Sequence, residues 1–253
     1  MVRLKYFFLI FSLSVVFSCG VDKSSSPKIR IATAANMQFA MQDLIQKFSR
    51  LTGISCEMIV SSSGKLTAQI MQGAPYDLFV SANEKYPQEI FELGLCKNKP
   101  QPYAYGNLIL WSIRDTMPEL SVLQSEKTKH IALPNPKVAP YGKAAYAILK
   151  TLPFFQKIET KLVYGENISQ TNQFIVTQAA EVGFTALSSV HSLPYKNKGK
   201  WTLVTSEKHL PIAQTAVLLE QNDAAKKFYQ FLFSKEAKKT LKKFGYLTTQ
   251  ADF

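Results

Sequence analysis

Short apolar runs and helical stripes alternate along this chain in a regular order. Ile29 to Ala34 (IRIATA) is an apolar run that predicts a strand. Beyond Asn36, the residues Met37, Ala40, Met41, Leu44, Ile45 and Phe48 recur at helical spacing and predict an amphipathic helix. Gly53 breaks it, and Ile54 to Val60 predicts a second strand. Leu66 to Gln72 reads as a helix stopped at Gly73. Asp77 to Ser81 reads as a third strand, and Pro87 and Gly94 bracket a third helix. This alternation predicts an α/β fold with a parallel, doubly wound sheet and ligands at the carboxyl ends of its strands.

The plan repeats in the second half. Asn107 to Ile113, His130 to Leu133, Lys161 to Tyr164 and Val182 to Leu187 predict strands. Prolines 134, 136 and 140 exclude a helix between the second of these and Tyr141. Helices are predicted from Tyr141 to Leu149 and from Ser169 to Ala180, and strands over Trp201 to Thr205 and Ile212 to Leu219. Two helices close the chain, Asp223 to Phe233 and one capped by Ser234, whose inner face is Ala237, Leu241 and Phe244. No sequence repeat relates the halves.

Two predicted strand-to-helix turns carry candidate chemistry. Ser61-Ser62-Ser63-Gly64-Lys65 offers three hydroxyls and the unpaired N–H groups of a helix start. Ala35-Asn36 offers a second such start with an amide. In a parallel sheet these ends share one edge, so both can face one anion. An ordinary serine cap also fits the first stretch. The Gly64-Lys65 pair does not make a nucleotide loop, because position 59 is Ile and Leu66 stands where a magnesium-binding hydroxyl belongs. Lys65 reads as a helix-surface lysine. No histidine sits in a motif with a nucleophile and a carboxylate, and the serines lack a nucleophile elbow, so no enzyme is expected.

Composition narrows the setting. With 253 residues, 46% hydrophobic and 19% charged, the chain is globular and long enough for two lobes. Arg3 and Lys5 precede an apolar run from Tyr6 to Phe17, which predicts a signal peptide over residues 1–18. Val16-Phe17-Ser18-Cys19-Gly20 resembles a lipobox, so Cys19 is the expected lipidation site and 19–27 a flexible tether. Cys56 and Cys96 can pair in an oxidising compartment or remain core thiols. Three scattered histidines show no ligand spacing, so no metal site is expected. The net charge of +12 includes seven lysines between Lys226 and Lys243, which read as a solvated or envelope-facing surface. Nucleic acid is not expected, because the aromatic residues lie on the apolar faces.

Several stretches together resemble the molybdate-binding component of bacterial ABC importers. They are Ala32 to Asn36 (ATAAN), Ala40 to Leu44 (AMQDL), Ser62 to Leu66 (SSGKL) and Gly73 to Ala82 (GAPYDLFVSA). Pro140 to Ala145 (PYGKAA), Gly165-Glu166-Asn167 and the closing Phe244-Gly245-Tyr246 complete the set. The resemblance implies a two-lobed type II periplasmic-binding-protein fold, each lobe a mainly parallel sheet flanked by helices. Residues 28–104 would form lobe 1, 105–209 lobe 2, and 210–253 would return to lobe 1. It implies a monomer that binds molybdate or tungstate between its lobes and serves the membrane subunits of an importer, with no cofactor. The implied ligand residues are Ala35, Asn36 with its amide as donor, Ser63, Tyr141, and Ile168 through its backbone. Where the family often carries a tyrosine this chain has Ala186, and Tyr141 is the expected substitute donor. Another oxyanion, a small organic anion, or a basic envelope lipoprotein without a transport role are the alternatives.

Overall fold

A computed structural model describes residues 28–204 and 212–248. The leader, Cys19 and the tether lie outside these described residues. The chain forms two five-stranded sheets with helices on their faces.

The first sheet has the order β2-β1-β3-β10-β4. It comprises β1 (Lys28–Ala34), β2 (Ser55–Ser61), β3 (Leu78–Ser81), β4 (Gln101–Gly106) and β10 (Ile212–Leu218). Between them lie α1 (Gln38–Thr52), α2 (Ser63–Met71) and α3 (Lys85–Glu92). The second sheet has the order β7-β6-β8-β5-β9. It comprises β5 (Leu108–Ser112), β6 (Ile131–Pro134), β7 (Leu162–Gly165), β8 (Val182–Ala186) and β9 (Lys200–Leu203). Its helices are α4 (Pro140–Leu149), the short α5 (Phe155–Ile158), α6 (Ile168–Val176) and the short α7 (Leu187–Val190). The chain ends in α8 (Asp223–Leu232) and α9 (Lys235–Lys243), which pack on the first sheet and α1.

Each sheet is mixed, with a parallel half and an antiparallel half. β1 pairs in parallel with β2 and β3, and β6 with β7 and β8. The expected parallel pattern holds in those halves. The strands next to the crossings between sheets run the other way: β10 is antiparallel to β3 and β4, and β5 to β8 and β9. One crossing is immediate, since β4 ends at Gly106 and β5 starts at Leu108.

The α1 stripe Ala40, Met41, Leu44 and Phe48 is buried and shares a core with Phe228, Ala237, Leu241 and Phe244. Phe48 and Phe228 meet edge to face at 4.9 Å, a favoured aromatic geometry. The helix ends as its sequence directs, with Gly53 in the left-handed region at φ 72°. Three details differ from the sequence expectation. β4 is a strand that periodicity does not signal. α3 begins two residues before Pro87, which sits inside the first turn where its missing N–H costs nothing. α6 ends at Val176 rather than near Ala180. Cys56 and Cys96 are both free thiols, and burial pushes the Cys56 thiol up to about 11.

The lobes are closed on each other. Ala34, Ala35 and Ala82 of the first lobe pack in one apolar cluster with Tyr141 and Ile168 of the second. Gly64 N–H donates to the Val138 carbonyl at 2.9 Å, and Ser169 Oγ donates to Gln38 Oε1 at 2.8 Å. Lys65 Nζ pairs with Glu166 Oε1 at 2.8 Å. Lys65 is therefore an inter-lobe contact, not the simple surface lysine that its sequence context suggests.

Candidate functional site

Four helix starts converge on one small cavity between the lobes. It is lined by Ala35 and Asn36 after β1, Ser62 and Ser63 after β2, Pro140 and Tyr141 at the start of α4, and Asn167 and Ile168 at the start of α6. All five residues expected from the sequence are thus brought together. The cavity measures about 10 Å³, no more than one water needs. No lining residue carries a formal charge.

The backbone supplies much of the site. Ala35, Ser63, Tyr141 and Ile168 occupy first-turn positions, whose N–H groups have no intrahelical acceptor. Local sequence explains each start. Pro140 at the first helical position fits because it has no N–H to lose. Asn167 caps α6 by accepting from Gln170 N–H at 3.1 Å. Ser62 is the extended residue before α2, yet its side chain makes no capping bond. The structure therefore separates two roles that the serine stretch left open.

The side chains add donors. Ser63 Oγ accepts the Ala82 N–H at 3.0 Å, which leaves its own proton to donate. Ser62 Oγ is buried and has no hydrogen-bond partner. A buried hydroxyl without a partner costs about 1–3 kcal/mol, so an acceptor in the cavity would relieve it. Of the three hydroxyls the sequence offers, the resemblance singles out Ser63, and the structure sets Ser62 beside it in the lining. The signal was the same serine run, but only the turn geometry shows that both hydroxyls are enclosed.

Tyr141 is fully buried, and its hydroxyl also lacks a partner. Burial pushes its phenol well up, and the nearby Tyr246 and Tyr103 phenols push the same way, against an opposing effect of the Asn36 side chain. Tyr141 therefore keeps its proton at neutral pH and remains a donor. The oxygen lies where Gly106 lacks a side chain: a Cβ there would sit 2.0 Å from it. Ala186 is buried but does not line the cavity.

Asn36 lines the cavity, but its amide is not the free donor that the sequence suggests. Its Nδ2 donates to Gln214 Oε1 at 2.7 Å and to the Tyr246 hydroxyl at 3.0 Å. The Gln214 amide is oriented in turn by its bond to the Ile212 carbonyl at 2.7 Å. Both Asn36 amide hydrogens are thereby used. The Asn36 carbonyl accepts from Ser188 Oγ at 2.8 Å, and the Tyr246 hydroxyl lies 2.9 Å from the same oxygen. Asn36 thus ties β10, the C-terminal segment and α7 together behind the cavity. What it offers an anion is its backbone N–H at the first turn. Gln214 and Ser188 were not identified from sequence, because each is distant in the chain and lacks a local motif, and Tyr246, although part of the closing Phe244-Gly245-Tyr246 stretch, was not assigned to the site.

The site can do one thing well. Donors fixed at several points, with no carboxylate and no full positive charge, suit a small anion bearing only acceptors. Among the described residues no cluster of three His, Cys, Asp or Glu could hold a metal ion.

Comparison with known proteins places the chain in a family. The model of the family described as bacterial extracellular solute-binding protein matches residues 29–247. The molybdate-binding protein ModA of Azotobacter vinelandii is 33% identical over 229 residues, covering 88% of this chain and 91% of the relative. ModA of Rhodobacter capsulatus is 34% identical over 242 residues, covering 94% of each. The solved structure of the Azotobacter vinelandii periplasmic molybdate-binding protein superposes with a TM-score of 0.82 at 30% identity, covering 88% of this chain and 100% of that one. The chain belongs to the bacterial extracellular solute-binding protein family.

Proposed function

We propose that this chain captures molybdate in the inter-lobe cavity outside the cytoplasm and delivers it, as a monomer, to the membrane subunits of an ABC importer. The observation that carries the reading is the partnerless Ser62 hydroxyl beside the Ser63 hydroxyl, in a small cavity with no carboxylate. The identity to two molybdate-binding proteins supports it. A doubly deprotonated oxyanion needs donors only, whereas phosphate, partly protonated near neutrality, also needs an acceptor. Ser62, Ser63 and Tyr141 would donate through side chains, and Ala35, Asn36 and Ile168 through the backbone. Tungstate, of the same shape and charge, fits the same cage. Lipidation at Cys19 would hold the protein at the membrane.

A thermal-shift panel tests the reading. Molybdate at a hundredfold over its Kd is expected to stabilise the protein by about 2.7 kcal/mol, a rise in Tm of roughly 5–10 °C. Sulfate and phosphate at the same concentration should shift it little. A sulfate shift as large as that of molybdate would refute the assignment. No shift with any small anion would favour a basic envelope lipoprotein.

The Lys65–Glu166 ion pair joins the two lobes. Both side chains are nearly half exposed (47% and 46%), so the pair contributes only about 0.2–1 kcal/mol. Lys65→Gln is expected to raise the molybdate release rate by up to about fivefold, with a smaller effect of salt than in the parent. An unchanged release rate would show that the pair does not act in closure.

A further inference from the structure

A second, larger cavity of about 670 Å³ adjoins the small one. The two share Ala139 and Pro140. One wall comes from α3 of the first lobe, with Lys85 and Tyr86, and the other from the second lobe, with Lys137, Lys143, Tyr146 and Tyr164. Its lining holds three lysines and no acid. Acids lie close by without lining it, Glu84 among them at the residue before α3. Glu166 is held by Lys65, Glu159 accepts from the Tyr146 hydroxyl at 3.4 Å, and Glu89 lies along α3 beside Tyr86 without lining the cavity.

Resting on the molybdate reading above, we propose that this vestibule is an outer anion site that collects the oxyanion at the cleft mouth and sets the rate of capture. The inner cage uses neutral donors and so exerts little attraction at a distance. Charges clustered in a concave mouth with low-dielectric walls focus the field and raise association rates by about 10–10³-fold, an effect that salt screens within about 10 Å at 0.1 M. The tyrosine rings supply such walls. Tyr86 spans the mouth, its hydroxyl donating to the Lys137 carbonyl at 3.5 Å, and Lys85 lies over its ring at 5.7 Å. The division of labour is direct: lysines outside govern entry, and uncharged donors inside govern retention.

Stopped-flow molybdate binding across a range of salt concentrations tests this. The triple variant Lys85→Gln, Lys137→Gln, Lys143→Gln should lower the association rate about tenfold at low salt. It should flatten the salt dependence and leave the release rate within twofold. A control with the same charge change, Lys226→Gln, Lys235→Gln, Lys239→Gln, alters α8 and α9, which pack on β10 and α1. It should leave the association rate within twofold. An unchanged rate in the vestibule variant would overturn the proposal, and so would an equal fall in the control, which would assign the effect to overall charge. Failure of the parent protein to bind molybdate would instead refute the functional reading, so the two failures are distinguishable.

Discussion

Replacing both cavity hydroxyls, Ser62→Ala with Ser63→Ala, is expected to weaken molybdate binding by about three orders of magnitude. Each hydroxyl would give one hydrogen bond to a charged acceptor, worth about 1.5–3 kcal/mol, and 1.4 kcal/mol is tenfold in affinity. The single variants should differ in a way that separates ligand binding from structure. Ser62 Oγ has no partner in the protein, so Ser62→Ala removes a buried unsatisfied group and should leave the unliganded Tm unchanged or slightly raised. Ser63 Oγ accepts the Ala82 N–H, so Ser63→Ala leaves a buried donor unpaired and should lower stability by about 1–3 kcal/mol. Titration calorimetry and melting without ligand measure the two effects. A Ser62→Ala protein that binds as tightly as the parent would remove Ser62 from the cage. One that melts well below the parent would show a structural bond at that hydroxyl.

The parts of this site that sequence reveals are the ones set by local chemistry. A serine run after an apolar strand, Asn167 before a helical stripe and Pro140 at a helix start all act within one turn of the chain. Their partners lie across the fold. The Asn36 amide looked like a ligand donor because only its position at a helix entrance was visible. Its engagement with Gln214 and Tyr246, 178 and 210 residues away, depends on β10 and the C-terminal segment returning to the first lobe. Lys65 looked idle for the same reason, since Glu166 belongs to the other lobe. Strand β4 was hidden differently. Pro102 interrupts its pattern, and a proline is tolerated there because β4 is the edge strand of its sheet, opposite a register shift at Gln214/Thr215. Periodicity reports burial on one face of one segment, and it cannot report which distant element covers the other.

Two glycines next to cavity-lining residues should respond to the same substitution in different ways. Gly142→Ala is expected to destabilise the unliganded protein by about 2–3 kcal/mol, a fall in Tm of roughly 4–12 °C. A Cβ at Gly142 would lie 1.9 Å from the Pro134 carbonyl oxygen and 2.6 Å from its carbon. Those atoms are backbone at the end of β6, so relief requires α4 to move off its own sheet. This outweighs the helix-propensity gain of about 1 kcal/mol. At Gly64 a Cβ would lie 2.7 Å from the Tyr86 hydroxyl and 3.0 Å from the Val138 carbonyl. The first is the end of a side chain that can swing away, and the second belongs to the opposite lobe. Gly64→Ala should therefore keep each lobe folded, with an unliganded Tm within about 3 °C of the parent, since the propensity gain offsets what is lost between lobes. Its effect should appear on closure, where the Gly64 N–H bond to Val138 forms, as a roughly tenfold loss of molybdate affinity, the equivalent of one hydrogen bond. Melting each variant with and without molybdate reads both quantities. A Gly142→Ala protein as stable as the parent would contradict the close approach of α4 to β6. A Gly64→Ala protein with undiminished affinity would show that the lobes can hold the ion without that contact, leaving retention to the hydroxyls and helix starts alone.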